Sequence, residues 1–405
     1  MIRLVYLCGI IMCFQGNGMA QSIVEGQWQG NIHYRNATIP FEFRIVGSSL
    51  NNKLQVILIN GSEELVINNS TISGDSIFIP MHAFDATIKA RLTGNKMMGR
   101  WIKNYKNNWS MAFSAQYEKP RFELAKTRKN VLVEPIWNMT FNPEFSLAYP
   151  SVGYFEQTGQ KITGTIAAEV GDLRFFEGVV TGDSLKMSSF DGAHAFLLLG
   201  KKTKGKWQGT LIFDDGYEEP WEAFADKNAS LADPFVVING AKEEKTQPYY
   251  DILTAGSGFN ILDPGDFEGK VTIIQLLGSW CPNSLDETNY LVEWYKNNKG
   301  QKIEVLAVFF EMHYTQEYGL QRIKEYTAAN NIPYTTVLGG KANKGQAALA
   351  FPFINKIEAF PTLIIIDKKG HARYMHTYFL GPATGALYAD FDTRFQAIIN
   401  ELLAE

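Results

Sequence analysis

The chain has 405 residues, 45% apolar and 20% charged, an ordinary globular balance with room for two or three domains of roughly 100–200 residues each. Its formal net charge is −4, from 38 basic and 42 acidic side chains without a long basic run, which argues against nucleic-acid binding. The six histidines are scattered and none stands at ligand spacing beside further candidates, so neither a metal site nor a cofactor is expected.

Residues 1–20 read as an export leader. Arg3 supplies the positive start, Leu4 to Phe14 form an apolar run, and Gly18-Met19-Ala20 offers small residues for cleavage before Gln21. That run is shorter than the ~20 apolar residues a spanning helix needs. No stable membrane span is therefore expected after cleavage, and the mature chain is placed in the periplasm or cell envelope. Cys8 follows Leu7 and Cys13 follows Met12, so neither has the small preceding residue of a lipoprotein signal. Both would leave with the leader. Cys281 then remains as the one thiol of the mature chain, and it cannot be half of an internal disulfide.

From 21 to 230 the pattern is all-β. Phe41-Glu42-Phe43-Arg44-Ile45 and Leu54-Gln55-Val56-Ile57-Leu58 alternate as strands do, and Gly, Asn, Asp and Ser punctuate them. Two degenerate copies, 21–125 and 126–230, are expected. Ser73-Gly74-Asp75-Ser76 returns as Thr181-Gly182-Asp183-Ser184; Phe84-Asp85 as Phe190-Asp191 and Gly99-Arg100-Trp101 as Gly205-Lys206-Trp207 both recur after 106 positions. Trp28 and Trp137 open the copies, and Trp109 and Phe113 echo Trp221 and Phe224 near their ends. These aromatics are read as core rather than as a binding surface, and His194 as a structural histidine.

A polar, proline-containing linker is expected at 231–250. Beyond it, 251–405 alternates strands (Val271–Leu277, Ile303–Phe310, Thr362–Ile366, Ala372–Thr377) with helices (Leu285–Asn297, Leu320–Asn330, Phe391–Leu403), an α/β pattern.

The informative segment, Leu277 to Glu287, joins a buried strand to a helix, with Trp280-Cys281-Pro282-Asn283-Ser284 at the junction. A cysteine there faces the free N–H groups and positive end of the helix dipole, which favour the thiolate. Cys281 is thus the catalytic candidate.

Trp280-Cys281-Pro282 after a strand, with Phe360-Pro361-Thr362 before a later strand and an Asp-x-x-Gly turn, resembles the thioredoxin superfamily. The chain at large resembles the TlpA-like disulfide reductases of the bacterial envelope. Leu380 to Gly385 and Ser189 to Phe196 are also similar to segments of that group. The resemblance implies a thioredoxin fold, a cis bond before Pro361, and a groove of Phe360, Pro361 and Thr362 that pairs an extended substrate. It places Glu287 where such proteins often carry an acid. Trp280, Pro282, Asn283, Ser284 and Glu287 are taken as groups supporting the thiolate.

The departures weigh more. The second cysteine of that pattern is Ser284 here, which can donate a hydrogen bond to sulfur but cannot release a mixed disulfide. Gln275 stands six residues before Cys281, where thioredoxins carry a buried acid. Three readings stay open: monothiol exchange in which an external thiol resolves mixed disulfides with protein or small-molecule partners; a redox-silent binding protein for envelope partners; and a resolving cysteine exchanged for Ser284, which the retained leader disfavours. Peroxide reduction lacks a specific motif. A Cys-His hydrolase would have to draw on His313, His371 or His376, all on other elements.

Overall fold

The structure, a computed structural model, describes residues 25–35, 37–47, 53–126, 130–238, 254–255, 264–313, 315–351, 353–354 and 356–405. The expected leader with Cys8 and Cys13, and most of the expected linker, lie outside these residues.

Eight strands open the described chain: β1 (Gly26–Tyr34), β2 (Ala37–Val46), β3 (Lys53–Asn60), β4 (Glu63–Ser73), β5 (Ser76–Met81), β6 (Ala86–Thr93), β7 (Lys96–Lys103) and β8 (Ser110–Tyr117). They run as an antiparallel meander, and β8 returns to pair with β1 from Trp28↔Tyr117 to His33↔Ala112, closing a barrel. In β2 the alternation read from the sequence faces Phe41, Phe43 and Ile45 inward while Glu42 and Arg44 stay half-buried, the period-2 geometry of a strand with one buried face.

A second ring has the same strand order. Its strands are β9 (Ile136–Phe141), β10 (Tyr149–Thr158), β11 (Lys161–Ala168), β13 (Phe176–Thr181), β14 (Ser184–Phe190), β15 (Ala195–Thr203), β16 (Lys206–Phe213) and β17 (Glu218–Ala225). β9 pairs with both β10 and β17, and β10–β11 pairing completes the circle. A two-residue strand, β12 (Gly171–Asp172), hangs on the end of β11. Closure leaves neither barrel a free edge. The core of the first barrel continues into Phe190, Ala195 and Leu197 of the second, with Phe41 and Phe190 4.1 Å apart between ring centroids.

The residue-level repeat holds only in places. Trp28 and Trp137 are both fully buried on opening strands. Trp101, however, lies well inside β7, whereas Trp207 is the second residue of β16. Phe224, expected in the core, is exposed, since it points outward from β17 on the opposite face to buried Trp221 and Ala223.

The C-terminal sheet has the order β18-β24-β23-β20-β21-β22-β19. Its strands are β18 (Phe235–Val237), β19 (Thr254–Ala255), β20 (Val271–Leu277), β21 (Ile303–Glu311), β22 (Thr335–Lys341), β23 (Thr362–Ile366) and β24 (Ala372–Thr377). β20, β21 and β22 are parallel; β23 runs against β20, and β24 runs against β23 and so in the direction of β20. Every residue of β20 is buried because the sheet is covered on both faces. Ile273 and Leu277 meet α1 (Pro282–Asn297), α2 (Gln316–Ala329) and α4 (Ala386–Ala404). Ile274 and Leu276 meet Ala347 of α3 (Lys344–Leu349) and the loop that carries Ile357 and Phe360.

Three elements differ from expectation. Phe235–Val237 is not linker but an edge strand on β24, held by Phe235 packing on His376 and Phe391. β22 and α3 were not read from the sequence. The helices at α1, α2 and α4 also begin earlier, by three, four and five residues respectively.

Candidate active site

Cys281 is the N-cap of α1, with extended backbone (φ −103°, ψ 119°) and Pro282 at the first helical position. Proline fits there because its missing N–H would have no intrahelical partner. The turn into the helix is closed by Cys281 N–H to Gly278 O, 3.1 Å, and Leu285 N–H to Cys281 O, 3.2 Å. Gly278 has no alternative: a Cβ there would sit 2.2 Å from the Trp280 indole nitrogen. That indole donates to Phe310 O at 2.9 Å and stands edge-on to Phe360, which also packs on Phe310.

The Phe360–Pro361 peptide is cis, as the resemblance implied. It lies opposite the sulfur: Cys281 Sγ is 3.4 Å from Phe360 O. Thr362 Oγ1 donates to Ala359 O at 2.8 Å and fastens the turn around Pro361. The structure therefore brings Cys281, Phe360, Pro361 and Trp280 together.

The protonation of Cys281 departs from expectation. Burial pushes its thiol above the ordinary value; the Ser284 hydroxyl and the amide N–H groups of Ser284 and Asn283 pull the other way without prevailing. The helix-start donors are present as expected, but Cys281 is only 7% exposed, so desolvation wins.

The second barrel packs against residues that flank Cys281. Asp172, on β12, accepts from Gly381 N–H at 2.8 Å and from the Asn283 side chain at 2.9 Å. Arg174 donates to Pro282 O at 3.0 Å, lies 3.0 Å from Asp286, and pairs with Glu63 of the first barrel. Burial and the neighbouring carboxylates push Asp286 up to about 8, with Arg174 opposing. Ala167 packs with Ala359, Tyr378 and Leu380. Asn283 is thus a docking residue: its side chain reaches the barrel rather than the sulfur.

Glu287 is also placed differently. It is fully buried, and its carboxylate accepts from Gln275 at 3.0 Å. Burial pushes it up to about 8, opposed by that hydrogen bond. A buried acid therefore does lie beneath the active-site helix, supplied by α1 instead of β20. A second buried network was missed. Glu311 accepts from Ser279 N–H (3.1 Å) and Oγ (2.9 Å), and Arg322 approaches the same hydroxyl while donating to His82 O at 2.6 Å. The sequence signal was an acidic residue ending an otherwise apolar strand, Phe309-Phe310-Glu311. Asp172 and Arg174 carried no local signal. His194 lies 3.7 Å from Asp191; among the described residues no group of three His, Cys, Asp or Glu side chains could hold a metal ion.

Residues 251–375 match the model of the AhpC/TSA family. This stretch is an AhpC/TSA thioredoxin-fold domain. No curated protein matches the chain. Among solved structures, a thiol-disulfide isomerase from Corynebacterium glutamicum is similar at 13% identity, over 41% of this chain and 99% of that one, with a TM-score of 0.32. A thiol:disulfide interchange protein from Chlorobium tepidum gives 19%, 40%, 99% and 0.30. A secreted thiol-disulfide isomerase from C. glutamicum gives 15%, 45%, 97% and 0.31.

Proposed function

We propose that the chain is an exported thiol-disulfide exchange protein that works through Cys281 alone. The observation that carries this reading is the Cys281 sulfur at the start of α1, 3.4 Å from the carbonyl of the cis Phe360–Pro361 peptide, with a hydroxyl at Ser284. In the forward step the Cys281 thiolate attacks a disulfide RS–SR, forms Cys281–S–SR and releases RS⁻. An external thiolate then attacks the adduct, frees Cys281 and forms a new disulfide. No net oxidation of the protein occurs. Ser284 hydrogen-bonds the sulfur and cannot shorten the life of the adduct.

The test is intact-mass measurement after treatment with 4,4′-dithiodipyridine. One adduct is expected, persistent without added thiol and absent in Cys281→Ala. In Ser284→Cys the adduct should collapse into an internal 281–284 disulfide. An unreactive sulfur in the folded chain would sink the reading. Because burial raises the Cys281 thiol, its alkylation rate should climb with pH through a midpoint above the ordinary ~8.5. A midpoint near neutrality would contradict the buried sulfur. Export rests on residues 1–20 and is tested by sequencing the N-terminus of the secreted chain, where Gln21 is expected first and Met1 would refute it.

The burial of Cys281 favours a second reading, a redox-silent binding protein using the same domain. It requires that Cys281→Ala bind its envelope partners unchanged; loss of all capture in that variant excludes it.

A further inference from the structure

The turn that presents Cys281 is anchored ahead of the cysteine as well as after it. Gly278 O accepts from Cys281 N–H at 3.1 Å, so Ser279 and Trp280 are the two middle residues of the turn. Each is tied to the end of β21. The Trp280 indole donates to Phe310 O at 2.9 Å. Ser279 gives its N–H, at 3.1 Å, and its hydroxyl, at 2.9 Å, to the two carboxylate oxygens of Glu311.

Glu311 breaks the character of its strand. β21 sends Val305, Ala307 and Phe309 into the cluster beneath α1, α2 and α4, and Leu306, Val308 and Phe310 into the one on the opposite face. The period of two turns Glu311 the same way as Phe309, toward α2, where Arg322 donates to the Ser279 hydroxyl at 3.4 Å. Ser279, Glu311 and Arg322 are all buried. A carboxylate this deep has given up its hydration, a cost that another apolar residue at the strand end would avoid. What an apolar side chain cannot do is accept both donors of Ser279 and so hold the turn in one place.

We propose that Glu311 is a positioning residue for Cys281: by holding Ser279 it keeps the sulfur placed for disulfide exchange beside the Phe360 carbonyl. This deepens the exchange reading and rests on it. The chemical step is the one written above. Cys281 bonds to one half of the disulfide, and the other half leaves as a thiolate. Glu311 makes and breaks no bond in it. Its effect lies in alignment, because the attacking sulfur must meet the S–S bond end-on. Iodoacetamide, a small and freely turning electrophile, asks less of the sulfur's position.

The experiment measures two rates on the full chain: mixed-disulfide formation with 4,4′-dithiodipyridine, and alkylation by iodoacetamide. Both need a thiolate and an accessible sulfur, so their ratio reports placement. Glu311→Leu should lower the ratio of exchange to alkylation about tenfold, within the ~100-fold that a displacement of about 1 Å can cost. Ser279→Ala keeps the amide donor and should lower it about threefold, while Glu311→Gln, which retains an acceptor oxygen for Ser279, should stay within about twofold of the unaltered chain. A purely structural role would move both rates together and leave the ratio alone. An unchanged ratio in Ser279→Ala and Glu311→Leu overturns the proposal, as does a Glu311→Gln ratio as low as that of Glu311→Leu. Should Glu311→Leu fail to fold, Ser279→Ala decides. Unaltered ratios beside a normal pyridyl adduct remove the positioning role alone, whereas no adduct in the unaltered chain removes the exchange reading itself.

Discussion

The first barrel presses a plug into the C-terminal domain; the second sets charged side chains against the start of its active-site helix. The plug is the short 3-10 turn His82–Phe84 after β5, whose Phe84 is buried in the same cluster as Leu285, Ile323 and Phe395. Around it, Arg322 holds His82 O and Tyr318 holds Asp85. The second barrel, by contrast, makes polar contacts at Asp172 and Arg174. Two barrels of one strand order thus serve different ends because their loops differ. The first barrel docks chiefly by apolar burial, and the second adds hydrogen bonds of defined geometry beside the site.

That contrast can be broken by mutation. Phe84→Ala deletes a buried ring and should cost about 3–5 kcal/mol of stability, read by urea unfolding, with the native-state alkylation rate of Cys281 nearly unchanged. A large gain in that rate would show that the first barrel also guards the sulfur. Arg174→Met strips the countercharge from Glu63 and Asp286 and should cost about 3 kcal/mol; Cys281 alkylation should accelerate several-fold. Stability lost without faster alkylation would mean that Arg174 is only structural. Asp172→Ala removes acceptors for Gly381 and Asn283, a loss of about 1–3 kcal/mol, again with faster alkylation.

A further effect concerns pH. Glu287 ionises near 8 in the fold against 4.5 when free, so the folded state holds its proton longer. Stability therefore declines as pH climbs through the interval between these values. Glu287→Gln keeps an acceptor for Gln275 and should flatten that decline between pH 5 and 8. Equal slopes in both proteins would show that Glu287 is ionised while buried.

Much of the C-terminal domain was legible because its signals are local. A fully apolar β20 running into Trp280-Cys281-Pro282 marks a strand-to-helix junction, and Pro361 precedes another apolar strand. β22 and α3 escaped because Gly339-Gly340 interrupts the strand and α3 has only six residues. Barrel closure was illegible for another reason: alternation identifies strands, whereas β1–β8 and β10–β11 closure depends on pairing across a whole module. The protonation of Cys281 was misread for the same cause. Helix-start donors are local, but the burial of the sulfur comes from tertiary packing that includes the distant Phe360 carbonyl. Glu287 was expected to support the thiolate; only the facing of β20 toward α1 shows that it meets Gln275.

The plug also determines how the domain behaves once excised. A fragment starting at 251 would lack Phe84 and Ala193 from its core and would leave β24 without its β18 neighbour. Its outermost strand would then be open to pairing with other molecules, and a socket shaped for a phenylalanine would fill with water. Chemistry measured on such a fragment would belong to a domain stripped of its barrel contacts at Pro282, Asn283 and Gly381.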